Sequence, residues 1–363
     1  MKKILTVIAG ICILLSVCGC SKGGNTSEID PNEVYGCDVL NVYNWGEYIG
    51  EDVIRNFEDK YNVTVNYSLF DSNEIMYTKL MSNNAYDVIV PSDYMIERLI
   101  SEDMLQPLDY SYMTNVKDLD PEILALRDAY DNGGVYSIPY FWGSVGIVYN
   151  KNVVDGSKLE SLGWEILRDT EYKGRIFMYD SERDSFMVAL KALGYSMNTE
   201  NLDEINEANE WLIELHETMD PAYVTDEVND AMINGEKDLA VVYSGAAAYI
   251  ISENEDMGFY MPKEGTNIWS DSLVIPANAK CPKLANEFIN FMLDYESAKD
   301  SSITVGYTSA NKKVTDDLSA PGEMFDGNEA YVFDVTNPKN EVFKHNDTLK
   351  KILSDLWIKV KVR

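Results

Sequence analysis

Alternating apolar and polar positions in the first quarter of the chain predict a regular series of strands and helices. Val39 to Tyr43 reads as a strand, and Val53, Ile54, Phe57 and Tyr61 fall near one face of a helix over 52–61. Val63, Val65 and Tyr67 alternate as a second strand. Ser72-Asn73-Glu74 starts a helix through Met81, and Tyr86 to Val90 is a short apolar strand stopped by Pro91. This β-α-β-α-β order opens a parallel sheet. Ligands of such sheets bind beyond the carboxyl ends of the strands, which makes the loops 44–48 and 91–94 the first candidate site segments.

Farther on, the turn 131–134 precedes a strand over 135–139. Tyr140-Phe141-Trp142-Gly143 then leads into an apolar strand over 145–149, and a boundary between two lobes is placed there. A second α/β pattern follows: strands over 175–179 and 239–243, with helices over 186–193, 202–218 and 224–234. A brief strand over 272–276 and helices over 284–293 and 348–357 complete the reading. The turn Ser319-Ala320-Pro321-Gly322 marks a further crossing between lobes.

The amino-terminal residues set the compartment. Lys2 and Lys3 precede an apolar run from Ile4 to Val17, and Val17-Cys18-Gly19-Cys20 resembles the lipobox of bacterial lipoprotein precursors. Residues 1–19 are thus expected to be a signal peptide, with Cys20 the lipidation site and 20–36 a flexible leash to a body that begins near Cys37. The apolar run is short for a membrane span. Each acyl methylene buried in the bilayer contributes about 0.8 kcal/mol, enough for two or three chains to anchor a domain on the outer face of the cell membrane.

The chain carries 61 acidic and 30 basic residues, a net charge of −31, which argues against nucleic acid as a partner. Only Cys37 and Cys281 persist beyond the signal segment and Cys20. Their spacing is compatible with one disulfide but does not establish it. His216 and His345 are far apart, no zinc-type cysteine spacing occurs, and neither a metal nor another cofactor is expected. Paired carboxylates can perform acid–base chemistry, which makes an extracellular enzyme the lesser alternative, but no G-x-S-x-G elbow, metal motif or Cys–His spacing occurs, so the chain is not expected to be an enzyme; nor does it carry a G-x-x-x-x-G-K-[ST] phosphate loop.

Aromatic residues and carboxylates recur at the predicted strand ends: Trp45 and Tyr48, Asp93 and Tyr94, Asp180 and Asp184, Tyr243, Trp269 and Asp271, and Tyr307. This mixture suits an organic ammonium. Burying its charge costs several kcal/mol unless a carboxylate pairs with it, and ring faces add about 0.5–2 kcal/mol each. A quaternary ammonium such as choline or betaine would use the same rings with one acid or none, whereas two separated acids favour a di- or triamine.

The runs Tyr43-Asn44-Trp45-Gly46-Glu47-Tyr48, Ser72 to Tyr77, Tyr86 to Ser92, Ser137 to Gly143, Leu193 to Ser196, Trp269 to Lys280 and Val305-Gly306-Tyr307 resemble the spermidine/putrescine-binding proteins of polyamine ABC importers. The resemblance implies an α/β, two-lobed type II periplasmic-binding-protein fold with hinge crossings. Lobe 1 would span 37–143 with 271–318, and lobe 2 144–270 with 319–363. It further implies a monomer that closes on polyamine and docks on an ABC permease whose ATPase is a separate chain.

Carried over position by position, the resemblance makes Trp45, Tyr243 and Trp269 walls around the methylenes, and gives Tyr48, Tyr94 and Tyr307 phenol edges and hydroxyls. Asp271 and Asp184 would hold ammoniums in opposite lobes, and Ser92 would accept a ligand N–H. Three positions depart from the family pattern. Gly46 replaces a threonine, Ser181 a second carboxylate and Tyr243 a tryptophan. Asp93 is a lower-ranked substitute for the missing charge, and the region of Phe343 aligns too loosely to carry over.

Overall fold

The computed structural model describes residues 30–82, 84–225 and 227–362; the expected signal peptide and Cys20 lie outside them. Strand β1 (Val39–Trp45) runs parallel between β2 (Thr64–Phe70) and β3 (Val88–Ile89). The helices Val53–Tyr61 and Asn73–Met81 make the crossovers that parallel pairing requires. The remaining strands are β4 (Ser137–Asn150), β5 (Ile176–Tyr179), β6 (Ala222–Val224), β7 (Leu239–Tyr243), β8 (Met257–Tyr260), β9 (Ile268–Val274) and β10 (Thr308–Ser309). The sheet order is β2-β1-β3-β9-β4-β7-β5-β6, with β8 and β10 also paired to β4.

Strand β4 makes this arrangement two-lobed. Its first half, Ser137–Ser144, pairs antiparallel with β9, and Val145–Tyr149 pairs with β7. Apolar side chains divide the same way. Leu40, Phe57, Phe141 and Phe288 share a core beside β1, while Ile147, Trp164, Phe186 and Trp211 share one in the other lobe. A third cluster, with Val148, Val242, Val314 and Tyr331, backs the second lobe.

Several expectations change on this frame. The aromatic run 140–143 is continuous strand, because Ser137 to Val148 are all buried and alternation disappears when both strand faces are covered. Pro139 sits at a bulge, where its missing N–H is tolerated. Trp269 and Asp271 lie inside β9 rather than before a strand starting at Ser272. β9 pairs with the first half of β4 from Ile268, and the Lys312–Leu318 helix contributes Val314 and Leu318 to the third cluster.

Part of the expected leash is also folded. Asp30 accepts the Asn32 N–H at 3.0 Å and caps the helix Pro31–Tyr35, and Tyr35 packs edge-on against Tyr61 at 6.2 Å. The body therefore starts by Asp30 rather than near Cys37. Cys37 and Cys281 form a disulfide with Cα atoms 6.1 Å apart. Beside it, Asp87 accepts the backbone N–H groups of Asn41, Lys280 and Cys281 at 2.7–2.9 Å. Because the bridge closes 244 residues of chain, reduction or C281S should lower unfolding free energy by about 2–5 kcal/mol. Denaturant melts with and without reductant measure this; coincident midpoints would mean that the bridge adds no stability.

Candidate functional site

A cavity of about 500 Å³ opens between the lobes where β1, β7 and β9 converge. Trp45, Tyr48, Ser92, Asp93, Tyr94, Asp184, Tyr243, Trp269, Asp271 and Tyr307 all line it, so the ten residues singled out from sequence lie around one space.

On the first lobe, Trp45 ends β1 and its Nε1 donates to the Val90 carbonyl at 2.8 Å, which fixes the indole plane. Asn44 holds the following loop by donating to the Tyr48 carbonyl at 3.2 Å and the Tyr67 hydroxyl at 2.7 Å. Tyr48 is thereby set to donate its hydroxyl to Asp271 at 2.7 Å. Burial, then the Asp271 charge, raises the Tyr48 phenol well above its ordinary range, so it stays a donor. Burial also pushes the Asp271 carboxyl up to about 6, against hydrogen bonds from Ser92 and Tyr48.

The Asp93–Ser101 helix follows β3. Asn73 organises its start, donating to Ser92 Oγ and to the Tyr94 hydroxyl, both at 3.0 Å. Asp93 does not face solvent. Its carboxylate accepts the Tyr94 N–H at 2.6 Å and the Ser270 N–H at 3.3 Å. Burial pushes its acid up to about 8, with Asp271 adding to the rise and the two N–H groups opposing it. In the empty cleft its acid is therefore held above the ordinary carboxylate range, and a cation brought beside it would favour its ionisation.

On the second lobe, Ser181 caps the Glu182–Ala192 helix by accepting the Asp184 N–H at 3.3 Å. Serine is among the residues favoured for such a cap. Tyr243, the last residue of β7, donates its hydroxyl to Asp184 at 2.7 Å. Burial raises the Asp184 acid, and the Tyr243 and Ser181 hydrogen bonds moderate the rise. Trp269 meets Tyr243 and Tyr307 edge-on at centroid distances of 6.1 and 5.0 Å, so these rings form one continuous wall.

Two glycines make room for that wall. A Cβ at Gly143 would stand 2.4 Å from Trp269 Cζ2, and one at Gly245 would stand 2.1 Å from Tyr307 Cε1. G245A should therefore displace the Tyr307 ring and weaken ligand binding by about 1–3 kcal/mol while the chain stays folded. Calorimetry alongside a thermal melt tests this, and undiminished affinity would mean that the ring position is not needed.

Sequence reasoning missed several neighbours. Arg183 stacks on Tyr94 with its guanidinium 3.6 Å from the ring centre and lies 5.3 Å from the Phe343 ring. Glu74 and Lys350 form an ion pair between the Asn73–Met81 helix and the Asp347–Lys361 helix at the cavity edge. Asn73 and Glu74 lie inside a motif already singled out, the Phe343 region aligned too loosely to be carried over, and nothing local marks Arg183 or Lys350.

The buried acids differ in how they are satisfied. Asp131 accepts from the N–H groups of Val135, Tyr136 and Ser137 and from the Ser137 hydroxyl, as a structural carboxylate does. The carboxylates of Asp184 and Asp271 instead accept from the Tyr243 and Tyr48 hydroxyls and line a cavity rimmed by rings. Such a site is built to receive positive charge on an apolar chain.

Residues 52–326 match the model of the bacterial extracellular solute-binding proteins. The chain belongs to that family. Among its relatives in this solute-binding family, the spermidine/putrescine-binding periplasmic protein of Salmonella typhimurium is 37% identical over 276 residues, covering 76% of this chain and 78% of its own. The protein of the same description from Escherichia coli K12 is 36% identical over 300 residues, covering 82% and 83%. The solved spermidine/putrescine ABC transporter substrate-binding protein of Streptococcus pneumoniae is 36% identical with a TM-score of 0.78, covering 90% of this chain and 99% of that one. Solute-binding proteins capture ligands without transforming them. Among the described residues no helix is long and apolar enough to cross a membrane.

Proposed function

We propose that this solute-binding protein captures putrescine or spermidine between its lobes and delivers it to an ABC-type permease. The observation that carries the reading is the pair of buried acids, Asp271 on one lobe and Asp184 on the other, facing one aromatic-walled cavity. A protonated polyamine supplies charges at both ends and methylenes for Trp45, Tyr243 and Trp269 between them. Relatives described as binding spermidine and putrescine support the same ligand class. Two acids on separate lobes speak against choline or betaine, whose one cationic nitrogen carries no N–H.

Delivery needs a separate ATPase, and acylation at Cys20 would keep this protein on the outer face of the membrane as a tethered monomer. Ten of the lining residues are assigned to ligand binding on this reading: the rings of Trp45, Tyr48, Tyr94, Tyr243, Trp269 and Tyr307 as walls, Ser92 as an acceptor, Asp184 and Asp271 as ammonium partners, and Asp93 as a further acid beside Asp271. Mass spectrometry of ligand released from natively purified protein, followed by calorimetry, is the direct test. Putrescine or spermidine should bind with a dissociation constant near micromolar or below, about −8 kcal/mol or more favourable. Binding of choline or betaine without polyamine would overturn the assignment.

A further inference from the structure

Residues on alternate positions of a strand face the same side, and β9 with the residue just before it places Asn267, Trp269 and Asp271 in that relation. All three line the cavity. At a rise of about 3.3 Å per residue, Asn267 lies about 13 Å along the chain direction from Asp271, toward the second lobe. There its backbone pairs with Glu341, next to Phe343, and Thr266 contacts Met187 on the Asp184 helix. Asn267 is only 2% exposed, and its Oδ1 has no hydrogen-bond partner.

We propose that Asn267 is a further ligand-binding residue, its amide oxygen accepting an ammonium N–H at the Asp184 end of the cavity. The inference rests on the polyamine reading above. A primary ammonium has three N–H donors, and Asp184 already accepts from Tyr243 and lies against the Ser181 cap. One carboxylate cannot meet three divergent N–H donors, and Asn267 offers the further acceptor at this end. A half-turn of the amide about its Cβ–Cγ bond is enough to present the oxygen. Trp269 Nε1 is also unpartnered, but it is a donor and has nothing to offer a cation. The ligand class that satisfies Asn267 is an amine with N–H groups at this end; a trimethylated nitrogen leaves the oxygen unpaired.

Calorimetry with putrescine and with spermidine on the wild-type protein, N267L and N267D tests the proposal, with thermal melts confirming that each variant folds. N267L should bind both amines about tenfold more weakly, and N267D, which keeps an acceptor, should bind at least as tightly as the wild type. Should N267L not fold, N267A takes its place with the same expectation. N267L within twofold of the wild type, or N267D as weak as N267L, overturns the role of Asn267. A wild-type protein that binds neither amine instead refutes the functional reading on which the role depends.

Discussion

D271N should lower polyamine affinity by about 100- to 1000-fold, a loss of about 3–4 kcal/mol. The size follows from where the carboxylate sits. Asp271 is 7% exposed, receives the Tyr48 hydroxyl at 2.7 Å and lies inside a strand held on both sides, by β4 and by the Ser92 bridge. An ammonium brought there has left water, and without the carboxylate it loses the acceptor that compensates its charge. Asparagine preserves volume and much of the hydrogen bonding, so the measured loss isolates charge from packing. Unchanged affinity in D271N by calorimetry would remove Asp271 from the site and with it one end of the proposed ligand. The fold should tolerate the change, because neutralising a buried acid removes a desolvation cost.

Lowering pH from 7.5 to 4.5 should weaken polyamine binding by about 30-fold through Asp271 alone, taking its acid at about 6 in the empty protein. Below that value an incoming ammonium must displace a proton, which costs about a factor of ten per pH unit. Asp184, also raised by burial, adds to the same trend. Asp93, at about 8, is mostly protonated at neutral pH, and a cation held by Asp271 favours its ionisation. Binding at pH 7.5 should therefore release protons, visible as different apparent heats in buffers of different ionisation enthalpy. Affinity that stays flat from pH 4.5 to 7.5 would contradict this account.

Folding responds to the same acids with the opposite sign from a salt bridge. Each keeps its proton in the fold at pH values where the unfolded chain has lost it. Their contribution is fullest below about pH 4 and is lost as pH rises through about 6 for Asp271 and about 8 for Asp93.

How far these features are legible in the sequence depends on how local their causes are. β1 to β3 are legible because alternation and stop signals are local, and the family motifs point to side chains that meet in one cavity. β9 is displaced in the sequence reading because every residue from Ile268 to Val274 is buried, which leaves no polar face to mark the strand. The first helix was within reach, since Asp30-Pro31 is a cap followed by a proline suited to a helix start; its polar surroundings favoured a leash instead. The charge state of Asp93 has no local signature, because desolvation and a neighbour 178 positions away set it. Arg183, Phe343 and Lys350 reach the cavity only through tertiary packing, and Asn267 ends a polar run, Lys263 to Asn267, in which nothing local sets it apart.

Strand β4 belongs to both lobes without interruption, and that has a mechanical consequence. Separating the halves must flex a ribbon of paired backbone over several residues, whereas a loop crossing would need only a few torsions to swing. The ribbon acts as a leaf spring with a preferred curvature. Stiffness in its ladders with β9 and β7 would then bear on the angle to which an empty molecule returns.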